Sequence, residues 1–475
     1  MKKILITVAV LLLLYPVVAW LMGFAIERRV ESLTDQAQLM VPQLHLSQKT
    51  RHGVFTSDEE SSYELGSTLK VTRHYHRGWY SSVDEATVEM SGTALDARTP
   101  YRFSLRTVIH HGPVCGLTCF ALAGTETHVS FTGLLQASLT RLFGSEEPIT
   151  IRTRLAFFGG GSATVSSPAF KQAQIGQGAR VNWGGLDATM HYGARQDWYD
   201  VNASAASLRL AGPKGTLQID GMSLDGRSKR LLRTLYEGDS RMEIKRFSVT
   251  GLDEAQQGVV NDLLFVNQNH AQDGFMSMSY QLGARAIVTQ QVTLSSAHFD
   301  VTWKHLGLES LESFIAALRA AGQQQYASVA PGARAQNMMA ALKQPLEALL
   351  RDQPEMDIDR FSVANPQGQA VMTGAIRLIG LSAGDLDAPA VLLSKLDIRL
   401  DLVIDEALLS SLPGAAANAL AQLQPMIDQG YITRSNGALR MQMLFRAGQT
   451  TFNGKPFNPA VMQPPRGVPA PGMPH

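Results

Sequence analysis

Charge and cysteine are both scarce in this sequence, and their scarcity excludes several classes of protein. Charged residues make up 17% of the 475 residues, against roughly 25% in typical soluble domains. Lysine plus arginine (42) nearly balances aspartate plus glutamate (41), and no long basic run occurs. The sequence therefore gives no electrostatic reason to expect nucleic acid as a partner. Two cysteines in so long a chain exclude a disulfide-rich scaffold.

The two cysteines, Cys115 and Cys119, lie close together in the chain. Their spacing differs from the CxxC of thioredoxin-like sites, and structural zinc usually needs four ligands. In an oxidising compartment we expect a local structural disulfide. Two reduced, partly buried thiols are the alternative. Neither interpretation implies a metal ion or a cofactor, and we expect none.

Long uncharged runs are also rare, and residues 4–26 form the longest and most apolar of them. As a helix, this run would be about 34 Å long, enough for a hydrocarbon core of roughly 30 Å. Lys2 and Lys3 precede the run and favour a cytoplasmic N-terminus. The sequence therefore predicts a cytoplasmic stub (1–3), a transmembrane signal-anchor helix (4–26) and a body in the periplasm of a bacterium, held at the inner membrane.

A cleaved signal peptide ending at Ala19 is the competing interpretation. The apolar run continues through Trp20 to Ile26, which favours an uncleaved anchor. Arg28 and Arg29 follow the run and weaken the charge asymmetry that sets orientation. Beyond them, apolar residues recur at spacings of three and four until Pro42, so residues 27–42 are predicted to form a helical stalk.

Residues 43–455 are predicted to form a β-rich body, because apolar and polar residues alternate along several segments. The clearest segment runs from Tyr101 to Ile109, where the odd-numbered positions are apolar or threonine. Such alternation indicates an antiparallel sheet with one solvated face. Shorter segments repeat the pattern at Ala86–Met90, Leu208–Leu210, Leu217–Ile219 and Leu396–Ile404. Hairpin breaks are predicted at Gly159–Gly161, Asp220–Gly221 and Asp225–Gly226.

Helices are predicted to be a minority between blocks of strands. Their predicted ranges are 134–143, 308–321, 335–351 and 406–427, the last interrupted at Pro413 and Pro425. The expected fold class is therefore α+β, mainly β, with an extended antiparallel sheet. Residues 456–475 contain 7 of the 21 prolines and are predicted to be a disordered, solvated tail, with a ligand for a periplasmic partner as the alternative.

Three local patterns resemble the YdgA family of Gram-negative envelope proteins, whose domain has no known function. The first is Tyr75-His76-Arg77-Gly78-Trp79-Tyr80-Ser81-Ser82, similar to that family's Tyr-His-Arg-Gly-aromatic-x-Ser-Ser signature. The second is His111-Gly112-Pro113, which follows an alternating strand as in the family. The third runs from Gly448 to Asn453-Gly454 and is followed by a proline-rich tail, similar to the family's C-terminal end.

The order and spacing of the three patterns make the resemblance cover essentially the whole chain. It implies a single-pass inner-membrane protein with a periplasmic body, capable of self-association, and it supplies no reaction and no catalytic residues. Some positions depart from the family's pattern. Trp79 and Tyr80 replace smaller residues, His110 is an extra histidine, and the two cysteines are not part of the pattern.

Histidines and serines in the first two patterns are the candidates for chemistry. Paired as base and nucleophile, they would suit a hydrolase acting on envelope material, although such a site also needs an orienting acid and oxyanion donors. His74, His76, His110 and His111 are a weaker candidate for zinc. The structural alternative is that Gly78 permits a turn or bulge while Tyr75 and Trp79 pack between strands.

The missing active-site set favours a non-enzymatic envelope protein that binds or scaffolds through its β-rich body. Contact with envelope lipid through an apolar sheet face is one concrete form of this hypothesis, and a protein partner is another. The alternatives are the hydrolase and a self-associating structural protein.

Overall fold

The computed structural model describes most of the chain. The described residues are 15–27, 45–53, 56–65, 69–90, 101–114, 120–131, 140, 143, 145, 147–175, 179–212, 215–251, 257–324, 331–382, 384–385, 388–413 and 419–457. The stretches 28–44 and 458–475 lie outside them, and so do Cys115 and Cys119. Residues 4–14 and 134–139 also lie outside, so the predictions made for these parts of the chain remain predictions.

The fold is mainly β, with antiparallel pairing and few helices, as predicted. The strands are β1 (His45–His52), β2 (Ser57–Leu65), β3 (Leu69–Arg77), β4 (Ser81–Met90), β5 (Tyr101–His111), β6 (Ala123–Phe131), β7 (Ile149–Leu155), β8 (Gly161–Ser167), β9 (Phe170–Ile175), β10 (Ala179–Trp183), β11 (Leu186–Tyr192), β12 (Trp198–Gly212), β13 (Gly215–Arg230), β14 (Tyr236–Thr250), β15 (Gly258–Gln272), β16 (Phe275–Ala284), β17 (Ala286–Thr289), β18 (Thr293–Leu294), β19 (Ser296–Gly307), β20 (Glu355–Asn365), β21 (Gly368–Leu378), β22 (Leu396–Asp405), β23 (Thr433–Ser435), β24 (Ala438–Arg446), β25 (Gln449–Phe452) and β26 (Lys455–Pro456).

The helices are α1 (residues 15–27), α2 (Leu308–Gln324), α3 (Pro331–Arg351), α4 (Pro389–Lys395), α5 (Glu406–Ser411) and α6 (Ala419–Asp428). The predicted helices at 308–321 and 335–351 are confirmed as α2 and α3. The predicted interruption at Pro425 is wrong, because Pro425 lies inside α6. In the described part of the chain, no helix combines the length and hydropathy needed to cross a bilayer.

The chain divides into two compact units. Unit 1 comprises Met1–Met242 and Leu318–Met338, and unit 2 comprises Glu243–Ala317 and Met339–His475. In unit 1, strands β1 to β8 pair in chain order. Strand β8 then pairs with β11, β11 with β12, and β12 with β13. Strand β10 pairs with the second half of β12 and with β9.

In strands β3 to β6, the unit 1 sheet has one mainly apolar face and one mainly charged or polar face, as alternation in the sequence predicts. The mainly apolar face also holds the largely buried Arg73–Asp84 ion pair. Val71 pairs with Val88, and Val88 with Phe103, on what we call the inner face. On the outer face, His74 pairs with Glu85. Side chains two residues apart in a strand share a face, so this register assigns the remaining residues of β3, β4 and β5 to one face or the other.

Two predicted hairpin breaks in unit 1 are wrong. Both Asp220-Gly221 and Asp225-Gly226 lie inside β13, which continues through them. Gly221 has a φ of 61°, a conformation that glycine adopts without a steric penalty. It marks a local irregularity in a continuous strand. The predicted break at Gly159–Gly161 is confirmed, since it joins β7 to β8 and all three glycines have positive φ.

In unit 2, strands β15, β16, β19, β20, β21, β22, β24, β25 and β26 pair in that order. Helices α5 and α6 pack at the β22–β24 end, where Met426 and Leu439 belong to one buried cluster. Two-residue turns at Ala447-Gly448 and Asn453-Gly454 join the last three strands. Their residues all have positive φ, as expected for tight hairpins.

Candidate functional site

The residues of the first two family-like patterns meet at one end of the unit 1 sheet. Strands β3 and β4 form a hairpin in which Arg77 pairs with Ser82, and β5 ends beside it at His111. This register places Tyr75, Arg77, Ser82 and His111 on the inner face, where each is at most 2% exposed. We call these four residues the motif cluster.

Backbone geometry explains the glycines around the motif cluster. Gly78 forms the β3–β4 turn, and its N–H donates to the carbonyl of Ser81, so the predicted turn is confirmed. A Cβ on Gly112 would lie 1.9 Å from the carbonyl oxygen of Ala121, so only glycine fits. Pro113 follows it across a cis peptide bond. Trp79, predicted to pack between strands, is instead 44% exposed because it lies in the turn.

A chain of hydrogen bonds joins three members of the motif cluster. The Tyr75 hydroxyl donates to Ser82 Oγ at 3.0 Å, and Ser82 Oγ lies 2.8 Å from His111 Nε2. His111 Nδ1 lies 3.3 Å from the carbonyl oxygen of Trp79. A carbonyl can only accept, so Nδ1 carries the hydrogen and Nε2 accepts from Ser82. The chain is thereby satisfied with a neutral imidazole.

Burial keeps these groups uncharged. It lowers the pKa of His111, assisted by the positive charge of Arg77, because the imidazolium loses its hydration. It also raises the pKa of Tyr75 to about 12, so the phenol remains a hydrogen-bond donor.

Helix α1 covers the motif cluster with its small residues. A Cβ on Gly23 would lie 2.8 Å from His111 Cε1, and Ala19, one turn earlier, is fully buried. Ile26 completes this face and packs with Tyr75 in a buried cluster. On the opposite side of the helix, Leu21 is 55% exposed. The helix therefore has one face on the body and one face away from it.

Arg77 contacts the C-terminal end of α1 and holds it on the body. Its Nε lies 3.1 Å from Glu27 Oε2, and both side chains are buried. Its guanidinium lies 3.7 Å from the centroid of the Phe24 ring, a cation–π contact. One nitrogen, Nη2, donates to the carbonyl of Gly53. Breaking a buried ion pair by removing one partner is strongly destabilising, so Glu27 and Arg77 depend on each other.

A second feature is a row of large apolar side chains across seven strands of unit 2. Each member is the direct cross-strand partner of the next, so all share one face. We call this set the apolar row: Phe265, Leu282, Phe299, Phe361, Met372, Leu402 and Met441. Three adjacent members remain open to solvent, since Leu282 is 44% exposed and Phe299 and Phe361 are each 45% exposed.

A β-bulge in β20 keeps the row on one face. Asp300 pairs with Arg360 but Val301 pairs with Ile358, so Asp359 is an extra residue in β20. Ile358 and Phe361, three apart in sequence, therefore lie on the same face.

A family model described as a bacterial protein of unknown function, DUF945, matches residues 1–460. The chain belongs to the DUF945 family. No curated protein and no solved structure matches it.

Among the described residues, the serine–histidine pair in the motif cluster of this DUF945 chain has surroundings that differ from those of a catalytic triad. His111 Nδ1 contacts a backbone carbonyl where a catalytic triad has a carboxylate,. Ser82 is fully buried, so a substrate has no route to its hydroxyl while α1 is in place. The cluster packs and orients a helix, which fits the structural alternative drawn from the sequence.

The four histidines considered for zinc are not brought together in the DUF945 chain. His111 lies on the inner face, whereas His74, His76 and His110 are exposed. His76 Nδ1 lies 2.6 Å from Asp58 Oδ1. Both line an outer-face groove of about 550 Å³. Among the described residues, no group of three or more histidine, cysteine or acidic side chains is placed to hold a metal ion.

The third pattern of the DUF945 chain is structural as well. The Asn453 side chain donates to the carbonyl of Tyr431 at 2.9 Å and accepts from the N–H of Gln442 at 2.9 Å. It thus ties the segment after α6 to β24. Alternation in the sequence pointed to one member of the apolar row, Leu402 in the segment Leu396–Ile404. It did not point to Phe361, because the bulge in β20 interrupts the period of two.

Proposed function

We propose that this chain is a single-pass inner-membrane protein, similar to YdgA-like envelope proteins, whose periplasmic body binds lipid without catalysing a reaction. The observation that carries the proposal is the open part of the apolar row. Leu282, Phe299 and Phe361 form a contiguous patch on adjacent strands, and water-exposed patches of this kind mark binding surfaces.

Lipid acyl chains fit the apolar row better than a peptide does. The seven side chains of the row have no hydrogen-bonding group, whereas a peptide would bring polar backbone groups that need partners. The uncharged run at residues 4–26 supports a body held beside a bilayer.

Fluorescent lipid binding tests this function. The full chain is exchanged from detergent into an amphipathic polymer and titrated with a lipid analogue whose fluorophore brightens in apolar surroundings. The double variant Phe299→Ser/Phe361→Ser is expected to weaken binding about tenfold or more, since each removed ring contributes apolar contact area. Phe158→Ser is the matched control, because Phe158 is 95% exposed in the β7–β8 turn of unit 1.

Equal binding by the double variant and the control would contradict the proposal. Light scattering on the same samples tests a second explanation, in which the patch binds another copy of the chain instead of lipid. A dimer that forms without lipid and is lost in the double variant would assign the patch to a second copy of the chain.

A hydrolase is the second candidate function, favoured by the His76–Asp58 pair in its open groove. Such a pair can hold an imidazole as a general base. Thr50 also lines the groove, but neither serine nor cysteine does. The double variant His76→Ala/His111→Ala with an unchanged cellular phenotype would remove this candidate.

A further inference from the structure

A half-open apolar cavity lies at the covered end of the apolar row. It has a volume of about 310 Å³ and lies in unit 2, between α6 and strands β22, β24 and β25. All its lining side chains are aliphatic, aromatic or thioether. Leu402 and Met441, the last two members of the apolar row, are among them. The same sheet face therefore leads from the open patch into the cavity.

The chemistry of the cavity wall selects its occupant. Any donor or acceptor placed inside would lose its water without finding a partner, which disfavours a peptide backbone or a lipid headgroup inside the cavity. Met426, Met441 and Met443 line the cavity, and methionine adapts its shape to an irregular apolar guest. The volume is at the lower end of the range for ligand pockets. A single hydrocarbon chain fits these conditions, with the rest of the molecule remaining outside.

Polar contacts outside the cavity hold its wall in place. Asn453 bridges Tyr431 and Gln442, as described above, and the Tyr431 hydroxyl donates to the carbonyl of Pro456 at 3.0 Å. Phe452, which precedes Asn453, contributes its ring to the lining. The Asn-Gly turn of the third family-like pattern therefore supports the wall and leaves the interior free of polar groups.

We propose that this cavity is the end pocket for the acyl chain of a bound lipid, and that the chain lies along the apolar row with its methyl end inside. This inference rests on the proposed lipid-binding function and adds a site and a direction. It assigns the headgroup to the open end of the row, beyond Phe299 and Leu282.

Photo-crosslinking with two palmitic acid probes tests the direction. One probe has a diazirine at the terminal carbon and the other has it near the carboxyl group. The full chain in an amphipathic polymer is irradiated with each probe, and the modified residues are mapped by mass spectrometry. We expect the terminal diazirine to label Leu423, Met426 and Met443, and the other probe to label the patch around Phe299 and Phe361.

A cavity-filling variant provides the second arm. Leu423 lines the cavity, and Leu423→Trp is expected to reduce labelling by the terminal diazirine about 10-fold or more, since small changes of volume in apolar pockets have effects of this size. Leu393→Trp is the matched control, because Leu393 is 53% exposed on α4. Circular dichroism on both variants checks that the fold is retained.

The outcomes separate the two proposals. If both probes label the open patch and neither labels the cavity, the end pocket is wrong while lipid binding stands. If neither probe labels the apolar row or the cavity, both proposals fail. If Leu423→Trp does not fold, the crosslinked residues of the unsubstituted chain still decide whether the acyl chain ends in the cavity.

Discussion

At the scale of single residues, the neutral His111 makes the stability of unit 1 depend on pH. Its folded pKa lies below the ordinary value of 6.5 because burial removes water from the ring,. As pH falls through 6.5, the unfolded chain takes up a proton that the folded chain does not. The contribution of His111 to the free energy of unfolding is therefore complete above pH 6.5. It decreases as the pH falls below 6.5, until the pH reaches the folded pKa.

The magnitude follows from linkage. One proton difference changes the free energy of unfolding by at most about 1.4 kcal/mol per pH unit. Denaturant unfolding of the wild type and of His111→Gln between pH 7.5 and 5 measures it. The wild type should lose more stability than the variant across this range, and parallel profiles would count against a neutral buried imidazole.

Gly23 is the residue on which helix docking depends most directly. Because its Cβ would meet His111 at 2.8 Å, Gly23→Leu should push α1 off the motif cluster at a cost of about 1–3 kcal/mol, the usual range for overpacking. Hydrogen exchange of residues 15–27 should become faster. Leu21→Ala, on the exposed side, should leave exchange unchanged, and unchanged exchange in Gly23→Leu would refute the docking.

At the scale of elements, the bulge in β20 gives a sharp test of the apolar row. Deleting Asp359 leaves Ile358, Arg360 and Phe361 in regular alternation with the same cross-strand partners. We therefore expect this deletion to fold, with Phe361 still on the apolar face. Deleting Ser362 instead would keep the bulge and move Val363 and the residues after it to the opposite face.

Thermal unfolding of both deletions checks this expectation. The Ser362 deletion should cost about 1.5–3 kcal/mol more than the Asp359 deletion, since it moves the Val363 side chain from the apolar face into water. If the two deletions lowered the midpoint equally, the assignment of Asp359 as the extra residue would be wrong.

Strands β5, β20 and β13 show which strands can be predicted from local sequence patterns. Alternation from Tyr101 to Ile109 predicts β5 because the strand is regular. Alternation does not predict strand β20, because the bulge breaks the period of two among its apolar residues, which are Met356, Ile358, Phe361 and Val363. In β13, Gly221 resembles a turn although cross-strand pairing carries the strand through it. Local signals do not include the partner strand, which decides both cases.

The candidate site was only partly visible for the same reason. The family-like patterns drew attention to Tyr75, Ser82 and His111, but their spacing could not reveal that they form one hydrogen-bonded chain. Nothing in the sequence linked Arg77 to Glu27, which are 50 residues apart. Their pairing depends on where α1 packs, and the sequence around α1 indicated a membrane helix without showing its contact with the body.

At the scale of the whole molecule, we expect the body to lie on the periplasmic side of the inner membrane. The proposed anchor at residues 4–26 would leave the body in the periplasm. Protease added to spheroplasts should digest the bulk of the chain while cytosolic control proteins survive. Protection of the bulk until the cells are lysed would contradict the periplasmic location.

The most direct test of lipid binding is native mass spectrometry of the full chain, purified from membranes and exchanged into an amphipathic polymer. Our account predicts a bound fraction whose added mass matches an acyl lipid, retained by Phe158→Ser and largely lost in Phe299→Ser/Phe361→Ser. A chain that carries no lipid from the membrane, or that carries equal amounts in all three proteins, would contradict it.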